Sequence, residues 1–168
     1  MLTLHTRIDA APRIYGRLVL AYDQREKCRL RARLDSGEEV AVFTTRGTVL
    51  RGGDLLTGAE SLVVQVVAAP EPTYLVDCAS ELVLARCAYH LGNRHTQVQI
   101  GKGTLRILAD PVLGEMVRGL GASVHEELAP FEPEQGAYAG GHHGQRGDAH
   151  PLAPVALRQR IHRPGDAA

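Results

Sequence analysis

The sequence contains no tryptophan, and phenylalanine and tyrosine together make up only 4% of its 168 residues. A hydrophobic core therefore has to be built mainly from Val, Leu, Ile and Ala. An excess of either charge is also lacking, because 19 Lys and Arg residues balance 19 Asp and Glu residues. This balance excludes a nucleic-acid binder that relies on bulk positive charge, although a local basic patch remains compatible with it.

Cysteine is scarce, and long apolar runs are absent. Cys28, Cys78 and Cys87 are the only cysteines, and none belongs to a Cys-x-x-Cys pair. An odd number without that spacing favours free or buried thiols over a disulfide or a thiolate metal site. No run approaches the length of a membrane span, and residues 1–6 lack the apolar core of a signal peptide. We therefore expect a soluble cytoplasmic protein that does not contact a membrane.

Residues 1–70 have the pattern of an all-β domain. In residues 28–34, apolar side chains alternate with Arg29, Arg31 and Arg33, which is typical of a strand with one buried and one solvated face. The arginines favour a solvated face whose long side chains cover apolar surface over an anion-binding surface. We expect the glycines of residues 46–54 to form turns, because the Walker spacing of a phosphate-binding loop is absent.

The pattern changes at Pro70 and Pro72, which we expect to interrupt strand pairing and to form a stiff linker between two domains. Residues 71–138 then follow the order strand, helix, strand, strand, helix, strand, which predicts a ferredoxin-like α+β domain. Asp110 is expected to cap the second helix, and Pro111 suits its first position.

The first helix of this domain is predicted to end at Gly92, because glycine suits the left-handed conformation that terminates many helices. His95 then lies in a short loop beyond the helix end, and loops held by a rigid scaffold often carry functional groups. His90 is expected on the helix surface. On position alone, His95 is more simply a solvated loop residue than a metal ligand.

After Tyr138 the sequence is rich in Gly, Pro, Ala, Arg and His and has few large apolar residues, so residues 139–168 are predicted to form a disordered tail. Four of the eight histidines lie there: His142, His143, His150 and His162. Mobile imidazoles can capture a metal ion weakly and raise its concentration near a fixed site. The alternative is an inert tail that happens to contain histidines.

Three blocks of the sequence resemble the family of the urease accessory protein UreE, whose members are nickel metallochaperones. The blocks are RGTVLRGGD at 46–54, YHLGNRH at 89–95 with VQI at 98–100, and PFEPEQGAY at 130–138. They occur in the order found in the family. The resemblance implies an N-terminal β domain that binds peptides or protein partners, followed by a ferredoxin-like domain that binds metal and forms a homodimer.

The resemblance also implies a metal site. The histidine of the GNRH motif, His95, would bind Ni(II) at the dimer interface, and His142, His143 and His150 resemble the family's histidine-rich terminus. Ni(II) would be a transported cargo, and Cu(II) or Zn(II) could compete in vitro, because imidazole suits all three metals. Several family members carry further histidines before the second helix, where this chain has Ala109 and Pro111, and this difference predicts that a second fixed site is absent.

The implied partners are the urease apoprotein and the urease accessory proteins, including the GTPase. No Ser-His-Asp or Cys-His arrangement supports catalysis, so we do not expect an enzyme. Two other functions are compatible with the residues: an adaptor that joins a peptide-binding domain to a dimerisation module without metal, and a general copper or zinc buffer. Nickel titration separates the adaptor from the chaperone, and metal preference in cells separates the buffer.

Overall fold

The computed structural model describes residues 1–135, so the predicted tail lies outside the described residues. The first half of the chain forms two small sheets. One has the strand order β1 (Leu2–Leu4), β5 (Glu39–Phe43) and β4 (Arg29–Arg33), and the other has the order β2 (Thr6–Ile8), β6 (Leu55–Thr57), β7 (Val64–Ala68) and β3 (Gly16–Leu20). A single helical turn, α1 (Tyr22–Arg25), follows β3.

The two sheets share one aliphatic core, as the shortage of aromatic residues requires. Its fully buried members include Leu4, Leu18, Val40, Val64 and Val66. The predicted alternation of β4 is confirmed, since Leu30 and Ala32 pack against this core while the three arginines of the strand are exposed. Gly47 and Gly53 adopt positive φ angles of 84° and 97°, which confirms the turns predicted between the strands.

The second half contains a four-stranded antiparallel sheet with the order β11 (Ser123–Pro130), β8 (Pro70–Asp77), β10 (Thr104–Leu108) and β9 (Gln99–Ile100). Helices α2 (Glu81–Asn93) and α3 (Pro111–Gly119) pack on one face of it. Along the chain the elements run strand, helix, strand, strand, helix, strand. Cys87 and Leu91 of α2 and Val117 of α3 are completely buried in the core of this half.

The linker predicted at residues 69–72 is wrong, because only Ala69 separates β7 from β8. Pro70 and Pro72 pair with Pro130 and Leu128 of β11. The carbonyl of Pro72 accepts a hydrogen bond from Ala109 N–H at 3.0 Å, so the backbone of Pro72 faces the side of β8 where β10 has already ended. The missing N–H of Pro72 therefore points away from β11, so no hydrogen bond between β8 and β11 is lost.

Both helices of this half begin with side-chain caps. Ser80 caps α2 by accepting a hydrogen bond from Val83 N–H at 3.3 Å. The predicted cap of α3 is confirmed, because Asp110 Oδ1 accepts from Val112 N–H at 2.8 Å and from Leu113 N–H at 3.0 Å.

Val112, in the first turn of α3, is 63% exposed. Gly114 packs against the sheet instead, and a Cβ atom there would come within 2.9 Å of the Tyr74 ring. Among the helices of residues 1–135, none combines the length and the apolar character needed to cross a bilayer.

Candidate functional site

Helix α2 ends in a Schellman motif that places His95 directly beyond the helix. Arg94 is the last residue of the turn, His95 N–H donates to the Gly92 carbonyl at 2.9 Å, and Thr96 N–H donates to the Leu91 carbonyl at 3.1 Å. This pair of hydrogen bonds requires a left-handed residue between Arg94 and Thr96. His95 is that residue, with a φ angle of 54°. Its backbone is therefore fixed by the end of the helix.

The prediction that Gly92 occupies the left-handed position is wrong. Gly92 lies within α2 and is not among the residues with positive φ. A Cβ atom at Gly92 would meet no other atom within 4 Å, so neither the backbone nor the packing requires glycine there. The pattern Gly-Asn-Arg-His misled the assignment because glycine is the commonest residue at the end of a helix.

Helix α3 ends in the same motif and provides an internal comparison. Gly121 N–H donates to Arg118 O at 3.0 Å, Ala122 N–H donates to Val117 O at 3.1 Å, and Gly121 has a φ angle of 98°. Gly121 thus occupies the left-handed position that ends α3. The left-handed conformation costs an L-residue roughly 1–2 kcal/mol. At the end of α3 the left-handed position therefore holds an unstrained glycine, whereas at the end of α2 it holds a strained histidine.

The histidine lies on an exposed surface beside a shallow cavity of about 290 Å³. The cavity is lined by Ala88, Gly92, Thr96, Gln97, Val98, Ile100, Glu134 and Gln135. Two large apolar side chains near this end of the domain are exposed, Ile100 at 55% and Tyr89 at 66%. The surface around His95 thus combines a polar ligand group with unburied apolar area, as interaction surfaces often do.

Residues 131–135 run alongside the His95 loop and also contact the first half of the chain. Glu134 N–H donates to Val98 O at 2.8 Å, and Glu132 N–H donates to Gln99 Oε1 at 2.9 Å. On the other side, the Glu132 carboxylate accepts from Gly52 N–H at 2.7 Å and from the Arg51 guanidinium at 3.0 Å. The three sequence blocks that carry the family resemblance therefore meet at one place in the structure.

Arg25 of α1 is the fully buried charge at this meeting point, with 0% of its surface exposed. Its guanidinium contacts Glu132 Oε2 at 3.0 Å, donates to Leu50 O at 3.2 Å and also donates to the Phe131 carbonyl. The Tyr22 ring lies 5.4 Å from the guanidinium carbon. A buried charge needs such partners, because an unpaired one would be strongly destabilising.

The Glu132 carboxyl responds to these neighbours. Burial alone would raise its pKa, but the Gly52 N–H and the guanidinium groups of Arg51 and Arg25 together outweigh that effect and hold the pKa below its usual value. Sequence reasoning missed this role of Glu132. No local spacing marks it, since Arg25 and Phe131 are 106 residues apart in the chain.

The other candidate ligands of the described residues are separate from this site. His90 is exposed, as predicted, and its ring packs against Tyr89 at 5.3 Å. His5, whose Nδ1 lies 2.9 Å from Thr6 Oγ1, and His125 on β11 are also exposed. The four tail histidines, His142, His143, His150 and His162, lie outside the described residues.

The cysteines are free thiols, as predicted, and two of them are buried. Burial raises the pKa of Cys78 to about 11 and also raises the pKa of Cys87. Metal binding needs the thiolate, which burial disfavours. Within residues 1–135, no three His, Cys, Asp or Glu side chains come together as a metal-binding group.

These features define a two-domain α+β protein that presents one strained, exposed imidazole beside a shallow cavity. Comparison with known proteins gives the family. The profile of the UreE urease accessory protein N-terminal domain matches residues 3–69, and that of the C-terminal domain matches residues 71–154. The chain belongs to the UreE urease accessory protein family, which confirms the resemblance carried by the three sequence blocks.

Individual relatives agree with this assignment. The urease accessory protein UreE of Janthinobacterium sp. (strain Marseille) is 62% identical over 169 residues, covering 100% of this chain and 99% of its own length. That of Nitrosospira multiformis is 59% identical and covers 99% and 98%, respectively. That of Burkholderia lata is 54% identical over 86% of this chain and 69% of its own length.

Proposed function

We propose that this chain is a nickel-binding metallochaperone that delivers Ni(II) during maturation of urease, with His95 as its fixed ligand. The left-handed histidine at the end of α2 carries the proposal. A position that favours glycine holds a residue whose imidazole is a good nickel ligand. Strained residues are concentrated at functional sites, where the surrounding structure holds them. The family assignment supports the role in urease maturation.

A single imidazole does not make a tight site, so we propose that two chains form a homodimer around His95. Two-fold symmetry presents every residue near the axis twice and would supply two nitrogen ligands. The exposed side chains of Ile100 and Tyr89 near the cavity support burial of this surface against a second copy. Two protein ligands would leave coordination positions open, which suits a carrier that has to release its metal.

The tail would extend the capacity of the site. Gln135 lines the cavity beside the His95 loop, so the described part of the chain ends in the neighbourhood of the proposed metal. The seven residues from there to His142 can span at most about 25 Å when fully extended. His142, His143 and His150 are therefore proposed as weaker capture ligands that raise the local nickel concentration.

The proposed partners follow from the family. They are the urease apoprotein and the other urease accessory proteins, including the GTPase, in the cytoplasm. The chain would act as a carrier rather than as an enzyme, with Ni(II) as cargo. Cu(II) and Zn(II) would compete in vitro, because imidazole nitrogens do not discriminate strongly among these metals.

Calorimetric nickel titration of the full chain tests the proposal. The wild type should bind one tight nickel per two chains, and His95→Ala should remove this site while leaving weaker equivalents. His90→Ala is the matched control, since it removes an exposed imidazole five positions earlier, within α2, and it should titrate like the wild type. A metal-free adaptor would show no tight site in any variant, and a tight site that survives in His95→Ala would refute the assignment.

A further inference from the structure

One carboxylate connects the two halves of the molecule to the loop that carries His95. Glu132 contacts Arg25, Arg51 and Gly52 of the first half through its side chain. We refer to these four residues as the interdomain joint. Its position between the first half and the loop makes Glu132 a candidate for a role beyond stability.

On the side of the N-terminal half, the joint is firmly held by charge and hydrogen bonding. Arg25 is fully buried, and Glu132 is its only charged partner within residues 1–135. The Nε of Arg25 finds no acceptor in the same range. The carboxylate also accepts from a backbone N–H at 2.7 Å. Charge-assisted contacts of this kind are among the stronger polar interactions in proteins. The position of Glu132 is therefore set by the N-terminal half.

On the side of the C-terminal half, the same short segment holds the end of the His95 loop. The loop is anchored at its start by the Schellman motif of α2. At its far end, Val98 and Gln99 accept hydrogen bonds from the backbone N–H groups of Glu134 and Glu132. Displacement of residues 132–134 would thus release these two hydrogen bonds and leave the far end of the loop held only by the pairing of β9 with β10.

We propose that Glu132 is a positioning residue for the metal site, through which the N-terminal half sets the geometry and the nickel affinity of the His95 loop. A protein partner that binds the N-terminal half and shifts Arg25 or Arg51 would loosen the loop and weaken nickel binding. Because coupling between two binding events is reciprocal, nickel at His95 would alter the affinity for that partner by the same factor. This inference rests on the proposed function of His95.

Two substitutions test the joint from opposite sides. Glu132→Gln removes the central charge, and Arg51→Met changes only the N-terminal half while leaving Arg25 paired with Glu132. Glu126→Gln is the matched control, because Glu126 is an exposed glutamate on β11 outside the joint. All variants keep the full chain length. In each of them alanine replaces the tail histidines, His142, His143, His150 and His162, so that the titration measures nickel binding at His95 alone.

Two readouts are needed, amide hydrogen exchange in the absence of metal and calorimetric nickel affinity. We expect Glu132→Gln to accelerate exchange at His95, Thr96 and Glu134 by about tenfold, with exchange at Cys87 and Leu91 unchanged. Nickel should bind about tenfold more weakly, as is usual when a group that orients a ligand is removed. Arg51→Met should act in the same direction with a smaller effect, and Glu126→Gln should match the starting protein.

If the amides of His95, Thr96 and Glu134 exchanged at the wild-type rate in both Arg51→Met and Glu132→Gln, the proposal would be overturned. Equal acceleration throughout α2 would also overturn it, because that result indicates a general loss of stability. If Glu132→Gln did not fold, Arg51→Met would decide alone. If the starting protein itself bound no nickel at His95, the proposed function would fail, while the exchange comparison would still show whether the joint holds the loop.

Discussion

Replacing His95 by glycine should stabilise the metal-free protein while removing its nickel site. Glycine adopts the left-handed conformation without penalty, so the substitution relieves roughly 1–2 kcal/mol of backbone strain. The greater freedom of glycine in the unfolded chain offsets about 0.4–1 kcal/mol of this gain. The expected net change in the free energy of unfolding is therefore roughly +0.5 to +1 kcal/mol.

The assay is denaturant or thermal unfolding of metal-free protein with a chelator present, at one fixed protein concentration. A gain of this size should raise Tm by about 1–4 °C for a chain of this length. His95→Ala keeps the strain and should unfold close to the wild type. Nickel titration of the same samples should show that both variants have lost the tight site, so that stability and metal binding change independently.

The end of α3 supplies the converse experiment. Gly121→His introduces at that helix end the arrangement that α2 has naturally, and a Cβ there would make only an ordinary contact with Val83 at 3.8 Å. We expect this variant to lose roughly 0.5–1 kcal/mol, because the backbone strain is added without a clash and the loss of glycine's freedom in the unfolded chain offsets part of it. A His95→Gly protein that is less stable than the wild type would refute the view that His95 is strained.

Three further predictions concern the joint, the tail and the second helix. Because the folded-state pKa of Glu132 lies below its ordinary value of 4.5, its contribution to stability should be complete above that value and lost as pH falls through the folded-state pKa. Glu132→Gln should therefore show a shallower loss of stability below about pH 4.5 in acid unfolding, and an unchanged slope would contradict the assignment. A chain ending at Tyr138 should unfold near the temperature of the full-length chain and should lose only its weak nickel equivalents. Light scattering should show that it remains a dimer, and loss of the dimer would show that the tail is required for dimerisation. Histidines at both Ala109 and Pro111 should create a second nickel site beside Asp110 in a titration, with a modest loss of stability from the missing proline; an unchanged stoichiometry would contradict this explanation of its absence.

Local patterns predicted most elements of the fold. The alternating arginines gave the position of β4, and the cap at Asp110 with Pro111 marked the start of α3, because both signals act between neighbouring residues. The segment at Pro70 and Pro72 was misjudged as a linker. Whether a proline interrupts a sheet depends on which side of the strand lacks a partner, and that depends on where β10 ends.

The candidate site was predicted only in part, for the same reason. The identity of His95 could be inferred from the motif, but its left-handed conformation could not, because glycine at position 92 was the stronger local signal. The joint between Arg25 and Glu132 escaped prediction entirely. Neither residue has a distinctive neighbour in sequence, and the contact forms only when the two halves of the chain pack together.

The most direct test of the central claim is anomalous diffraction from a nickel-soaked crystal of the chain truncated after Tyr138. We expect one strong peak on a two-fold axis, bonded to the imidazole of His95 from each of two subunits, and no comparable peak beside Asp110. A dimer without density at His95, or a principal peak at any other residue, would contradict it.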